Sequence, residues 1–278
     1  MRKLTYSLLF VLISLLVGCS GNSDKLNETN PFLVFDKKVE VFGVMIYGTP
    51  NTGMEKVKHA ATVMAEYLDN NEDGIVDNPK VVEVLSQRKA TLIMFRDEDE
   101  QDELFEWNEN LNNNYELQNL FHHETHPDGV SNEVFDATLE EVHHLILFGG
   151  YAHAYPDAFG FQNGTLVALA MDVARGGHFE KVPNPYPASA WYSYDDETCD
   201  YGCMIIEYLY WAHTSLLGAQ DYPWRLEEIE HEWKLNSADK LRSTDTAIYE
   251  LLRNPQYELA SMLPDGVYEG GEIIVETN

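Results

Sequence analysis

The segment Phe135 to Gly150, Phe-Asp-Ala-Thr-Leu-Glu-Glu-Val-His-His-Leu-Ile-Leu-Phe-Gly-Gly, sets the hardest condition on any fold this chain can adopt. Placed at about 100° per residue, Leu139, Val142, Leu145, Ile146, Leu147 and Phe148 point almost all round a helix, and a helix apolar on every side is a buried one. Asp136 or Thr138 is suited to cap its start, and Gly149 and Gly150 to stop it. Yet Glu140, Glu141, His143 and His144 lie in the same helix. Ionisable groups withdrawn from water are costly unless they are paired or bound to a cation. The fold must therefore supply partners for these side chains inside its core.

A second apolar helix makes the same demand. Glu207 stands among Ile205, Ile206, Leu209 and Trp211, with Tyr208 and Tyr210 beside it as hydrogen-bond donors. Glu140 and His144 are four residues apart, on one helical face, with Glu141 adjacent. Glu140-Glu141-Val142-His143-His144 resembles the zincin helix motif His-Glu-x-x-His, with Glu140 in the place of the first His. The resemblance implies that Glu140 and His144 bind zinc or another divalent transition metal. It makes Glu141 the general base toward an attacking water. In gluzincins the third ligand is a Glu from a downstream helix, which gives that role to Glu207, and a Tyr steadies the oxyanion, which points to Tyr208 or Tyr210. The reaction implied is hydrolysis of a peptide or amide bond. Carboxylate in place of imidazole shifts the metal preference toward harder ions.

Other histidines are in reserve. His213 shares the second helix, His178 follows Arg175-Gly-Gly, and His153 follows the first helix closely enough to cover the site. His122, His123, Glu124 and His126, in a loop ended by Pro127, form a second candidate transition-metal group. The contrasting reading is a plain Glu140–His144 hydrogen-bonded pair in a protein without enzymatic activity.

Leu68-Asp-Asn-Asn-Glu-Asp-Gly-Ile-Val-Asp77 resembles an EF-hand calcium loop. Asp69, Asn71, Asp73, the Ile75 carbonyl and Asp77 fall at its ligand positions, and Gly74 at its sharp bend. The loop would span 69–80, but Lys80 stands where the family has a bidentate Glu, so Glu83 or water would have to complete the shell. The resemblance implies weak, structural calcium binding.

The chain opens with Arg2 and Lys3, an apolar run from Leu8 to Val17, then Gly18 and Cys19. This is the pattern of a secretory signal, too short to read as a membrane span. Leu16-Val17-Gly18-Cys19 resembles the lipobox of bacterial lipoproteins. The resemblance implies a signal peptide over 1–18, lipidation of Cys19 with palmitate among the acyl groups, and a membrane partner through that anchor. Ser20 resembles the residue at this position in lipoproteins of the outer membrane or cell surface. Residues 19–36 read as a polar tether. The remaining Cys199 and Cys203 would then face an oxidising compartment, where a disulfide is the default; spacing leaves a thiol–metal site open.

Lys and Arg number 18 against 47 Asp and Glu, a net charge of −29, so nucleic-acid phosphate would be repelled. Strands are expected at 39–47, 90–95 and 272–276. Helices are expected at 54–68, from Pro79, and at 136–148, 165–175, 203–217, 225–235 and 244–253, with a surface helix and loop at 97–114. The fold class is α+β: a helix-rich single domain over 37–278 with a small β-containing N-terminal part. The functional expectation is an exported, lipid-anchored metallohydrolase of the zincin type. The alternative is a calcium-stabilised surface lipoprotein that uses aromatics such as Trp191, Tyr194, Tyr222 and Trp224 to hold a glycan or protein partner.

Overall fold

The computed structural model describes residues 30–105 and 109–277. The signal peptide and Cys19 lie outside the described residues. The fold is α+β and helix-rich, with a mixed sheet in its N-terminal part.

The expected first strand is a hairpin. β1 (Lys37–Val41) and β2 (Val44–Gly48) pair antiparallel, with Val39 opposite Ile46. Phe42 and Gly43 turn the chain at φ 49° and 86°. Successive left-handed residues match the twist of a tight hairpin. Phe42 hides this turn from a sequence reading, because a bulky residue rarely adopts positive φ.

From β2 the chain crosses through α1 (Met54–Leu68) and α2 (Pro79–Gln87) to β3 (Ala90–Phe95), parallel to β2. Asn78 caps α2 by accepting from the Val81 N–H, and Pro79 suits its first position. The acidic stretch forms α3 (Glu98–Leu104) and α4 (Glu109–Asn114) before β4 (Glu116–Phe121) adds in parallel to β3. Near the chain's end, β5 (Glu276–Thr277) pairs with β1, so the sheet order is β4-β3-β2-β1-β5.

β3 is buried throughout. Its Ala90, Leu92 and Met94 face the main core, while Ile93 and Phe95 join Phe32, Phe35, Phe105, Leu111 and Phe121 in a second cluster. A strand covered on both faces reads as a continuous apolar run. Phe32 also stacks on Tyr47 with centroids 4.5 Å apart. The expected tether therefore ends too late: burial of Phe32 and Phe35 makes their segment part of the folded body.

α5 (Thr138–Ile146) packs on α1, β4 and the later helix over Tyr201–Leu217. Asp136 accepts from the Thr138 N–H at its start. Gly149 and Gly150 do not stop the chain, which continues through a wide helical turn (Leu147–Tyr151) into α6 (Ala152–Ala154) and α7 (Pro156–Phe159). The two glycines instead let α2 approach. A Cβ on Gly150 would stand 2.8 Å from Val81 Cγ1, closer than carbon atoms tolerate.

α8 (Leu166–Ala174) precedes α9 (Tyr201–Leu217), which Asp200 caps and the Cys199–Cys203 disulfide braces. α10 (Pro223–Ile229) is shorter than expected, because Trp233 leaves the helix to bridge Tyr192. The expected helix at 244–253 is α12 (Thr246–Leu252), preceded by a separate α11 (Ala238–Thr244). Asp245 breaks the two by capping α12, and it also accepts from Trp191 Nε1 at 2.8 Å and the Tyr208 hydroxyl at 2.7 Å.

The last stretch of chain returns to α1. The Asn70 side chain holds Ser261 and Met262 through their backbone, and Glu66 accepts from the Asp265 and Gly266 N–H groups.

Candidate metal centre

The packing of α5 against α9 places His144 opposite Glu207. His144 is 0% exposed and Glu207 2%, while Glu140, one turn before His144, is half-buried. One donor atom from each of Glu140, His144 and Glu207 lies within 4.8 Å of the others. His144 Nε2 is 3.7 Å from Glu207 Oε2, and Nδ1 is 3.5 Å from Glu141 Oε2. Both separations exceed hydrogen-bond length. Both ring nitrogens of His144, and Oε1 of Glu207, lack a hydrogen-bond partner. Native proteins rarely leave such buried atoms orphaned. One nitrogen and two carboxylate oxygens form a donor set that suits a divalent cation.

Electrostatics add to that demand. Burial pushes the Glu207 carboxyl up to about 8, with His144 opposing and the charges of Glu140 and Glu141 adding. Burial likewise raises Glu140, against the pull of His144, and lifts Glu141 to about 8 against its bond from Gln118. Three carboxyls share this interior, each penalised for ionising. A bound dication would reverse that penalty.

The geometry sets Glu141 apart from the other two carboxylates. Gln118, from β4, donates to Glu141 Oε2, and this carboxylate lies on the Nδ1 side of the imidazole. Glu207 lies on the Nε2 side. A base toward water at the centre would have to stand with Glu207. Glu141 instead sits behind the ring, where a carboxylate orients a metal-binding histidine. Tyr210 is fully buried, and its hydroxyl bonds Glu140 and receives Gln220 Nε2 at 3.2 Å. Its hydroxyl thus holds Glu140 in place. Tyr208 points to Asp245 instead.

The reserve histidines do not join. His213 Nε2 donates to the Ala260 carbonyl at 2.9 Å, so its Nδ1 accepts from His143 Nε2, also at 2.9 Å. This pairing keeps both rings neutral, and burial drives His213 down to about 4. His178 is exposed between Asp172 and Glu180, and His153 is exposed on the surface. In the loop candidate, His122 accepts from the Gly53 N–H, His123 stacks on Phe121, and Glu124 accepts from the Phe121 N–H. That loop forms no three-donor group among the described residues.

In the EF-hand-like loop, Asp69 accepts from the N–H groups of Asp73 and Gly74 and from the Tyr268 hydroxyl. Asn71 accepts from Asp73, Asp73 from Ile75, and Asp77 from Asn70. Lys80 turns away to the Ala154 carbonyl and the Tyr155 ring, and Glu83 bonds Gln87. Glu83 therefore does not stand in for the missing ligand. Trp191 and Tyr192 pack in or against the core, and Tyr222 stacks on Trp224 at 5.7 Å.

Sequence reading missed Gln118 and a second group, Asp195, His231 and Glu232, whose donor atoms also lie within 4.8 Å of one another. Asp195 reads as part of a solvated acidic run, and only a non-local pairing brings it to Glu232.

Buried carboxyls outside the centre set a pH dependence. Burial raises Glu66 from 4.5 to about 7 against its two backbone bonds, and raises Glu124 to about 8 with the Glu141 charge adding. Between pH 4.5 and 8 the folded state holds protons that the unfolded chain has released. Stability is therefore full below the unfolded value and falls as pH rises through the folded ones. Chelator-treated protein should be less stable at pH 8 than at pH 5, by on the order of 1–3 kcal/mol per group, and should melt at a correspondingly lower temperature. Glu124→Gln should flatten the slope, and a melting temperature that climbs with pH would contradict it.

Comparison of the chain with protein-family models, with curated proteins and with solved structures gives no match.

Proposed function

We propose that this is an exported protein of the bacterial envelope, held by a lipid on Cys19, whose Glu140–His144–Glu207 centre binds a divalent transition metal and hydrolyses peptide or amide bonds. The observation that carries the reading is His144: a wholly buried imidazole set among three carboxylates, with neither nitrogen hydrogen-bonded. An ordinary buried histidine satisfies at least one nitrogen, as His143 and His213 do for each other.

When bound, the metal supplies Lewis acidity and lowers the pKa of a coordinated water. The chain's own residues do the rest. Gln118 fixes Glu141, and Glu141 favours the tautomer with a proton on Nδ1, which leaves the Nε2 lone pair facing Glu207. The nearby Arg225 charge and the Tyr210 hydroxyl favour the ionised form of Glu140, against the burial that raises it. Of the three residues, Glu140 is the one not fully buried. Two carboxylates and one imidazole favour iron or manganese alongside zinc.

The test is elemental analysis of protein purified without chelator, expected to give about one transition metal per chain. Metal-free protein that resists reloading would leave a buried polar network and the non-enzymatic reading, with a glycan or protein partner.

Calcium at Asp69, Asn71, Asp73, the Ile75 carbonyl and Asp77 is a separate part of the proposal. It is supported by a loop whose N–H groups already turn inward onto its own side-chain oxygens. Calcium at about millimolar concentration should raise the melting temperature, and Asp73→Ala should abolish that rise. A rise that survives the substitution places calcium elsewhere.

A further inference from the structure

A row of buried polar side chains leads away from the centre through Tyr210. The Tyr210 ring meets that of His144 edge to face, with centroids 5.4 Å apart, and its hydroxyl bonds Glu140. Tyr210 thus touches two of the three residues of the centre. On its far side stands Gln220, 0% exposed. Gln220 Nε2 donates to the Tyr210 hydroxyl at 3.2 Å and to Thr214 Oγ1 at 3.0 Å, and Gln220 Oε1 accepts from Arg225 Nε at 2.8 Å.

The donors and acceptors allow only one direction along this row. A guanidinium can only donate, so the amide oxygen of Gln220 must face Arg225, and the amide nitrogen must face Tyr210 and Thr214. Thr214 directs its own proton to the Tyr210 carbonyl at 2.7 Å, so its oxygen is free to accept from Gln220. The Tyr210 hydroxyl has one proton and already receives a bond from Gln220. That proton is left for Glu140. The start of the row is anchored as well. Arg225 Nη1 donates to Glu228 Oε2 at 3.1 Å, and the guanidinium lies over the Phe135 ring, 3.9 Å from its centroid. The Gln220 carbonyl accepts from Asn236 Nδ2 at 2.8 Å, which fixes the backbone from which the amide reaches inward.

We propose that Gln220 is a positioning residue for the metal ligand Glu140: oriented by Arg225, it turns the Tyr210 proton onto the Glu140 carboxylate. The inference rests on the reading of Glu140, His144 and Glu207 as a metal centre. A carboxylate that accepts from a fixed hydroxyl keeps one orientation and presents its remaining lone pairs to the cation. Bonds aligned in one row also polarise one another, so the first donor strengthens the last. Without the amide donor the hydroxyl can rotate, and with an acceptor in its place the hydroxyl turns away from Glu140.

The test is titration of chelator-treated full-length protein with cobalt(II) chloride, read by the visible absorption of the bound ion and by competition with a chromogenic chelator. Gln220→Leu removes the amide and leaves the Arg225 charge. It should weaken cobalt affinity by about tenfold or more and change the absorption band as Glu140 loosens. Gln220→Glu keeps the shape and the bond from Arg225 but offers Tyr210 an acceptor, and should weaken affinity by about tenfold or more as well. A packing role for Gln220 would leave this variant at or above wild-type affinity, and that result would overturn the proposal. In Tyr210→Phe protein, adding Gln220→Leu should change affinity by less than about twofold, because the route to Glu140 is already gone. Losses that simply add would overturn the proposal too, and this cycle decides the matter should Gln220→Glu fail to fold. Wild-type protein that takes up no cobalt removes the centre and the role of Gln220 together. Cobalt bound alike by wild type and the Gln220 variants removes the role of Gln220 and keeps the centre.

Discussion

His144→Ala protein should carry transition metal only at background level and should lose hydrolysis of a quenched fluorescent peptide library by at least about a thousandfold. His144 is the only nitrogen donor of the group, and its imidazole separates Glu141 from Glu207. Its removal leaves carboxyls around an apolar gap, and they will take up protons rather than ionise there. Glu141→Gln then decides between two roles. A general base would leave metal content intact and abolish turnover. An orienting carboxylate, which the geometry favours, would weaken metal affinity by about 10–100-fold. Full metal content in His144→Ala would remove the centre altogether.

Trp233→Ala should cost about 3–5 kcal/mol in urea unfolding, the largest loss expected from a single side chain here. Trp233 is 0% exposed, packs against Tyr192 and Tyr208, and donates from Nε1 to Ser215 Oγ at 2.9 Å. Its backbone also bridges Tyr192, so its loss loosens the pairing that brings Asp195 near Glu232. Ser215→Ala removes only the hydrogen bond and should cost about 1–2 kcal/mol. A loss below that in Trp233→Ala would mean that neighbouring rings close the gap.

Periodicity made much of this fold legible. The stripes of Val57, Ala60, Ala61, Met64 and Leu68 and the run Ala90–Phe95 mark α1 and β3 at their observed bounds. Glu140, His144 and Glu207 were legible for a different reason. Each is a charge-bearing residue in an apolar helix, and such residues seek one another inside. β4 was not legible, because Glu-Leu-Gln-Asn-Leu-Phe alternates poorly and its burial depends on neighbouring elements. With it went Gln118, and so the side of the imidazole on which Glu141 stands. The group of Asp195 and Glu232 was hidden for a similar reason: it depends on a bridge between segments about 40 residues apart, and no local pattern encodes that pairing.

The grip of Asn70 and Glu66 on residues 261–266 joins positions 191 to 200 apart along the chain. An emerging polypeptide cannot make these bonds until residues 261–266 have left the ribosome. Glu66 of helix α1 must therefore wait with its acceptors unmet, and the loop it closes is long. Bonds of such long range form only after the local pairings of α1 and the sheet are in place.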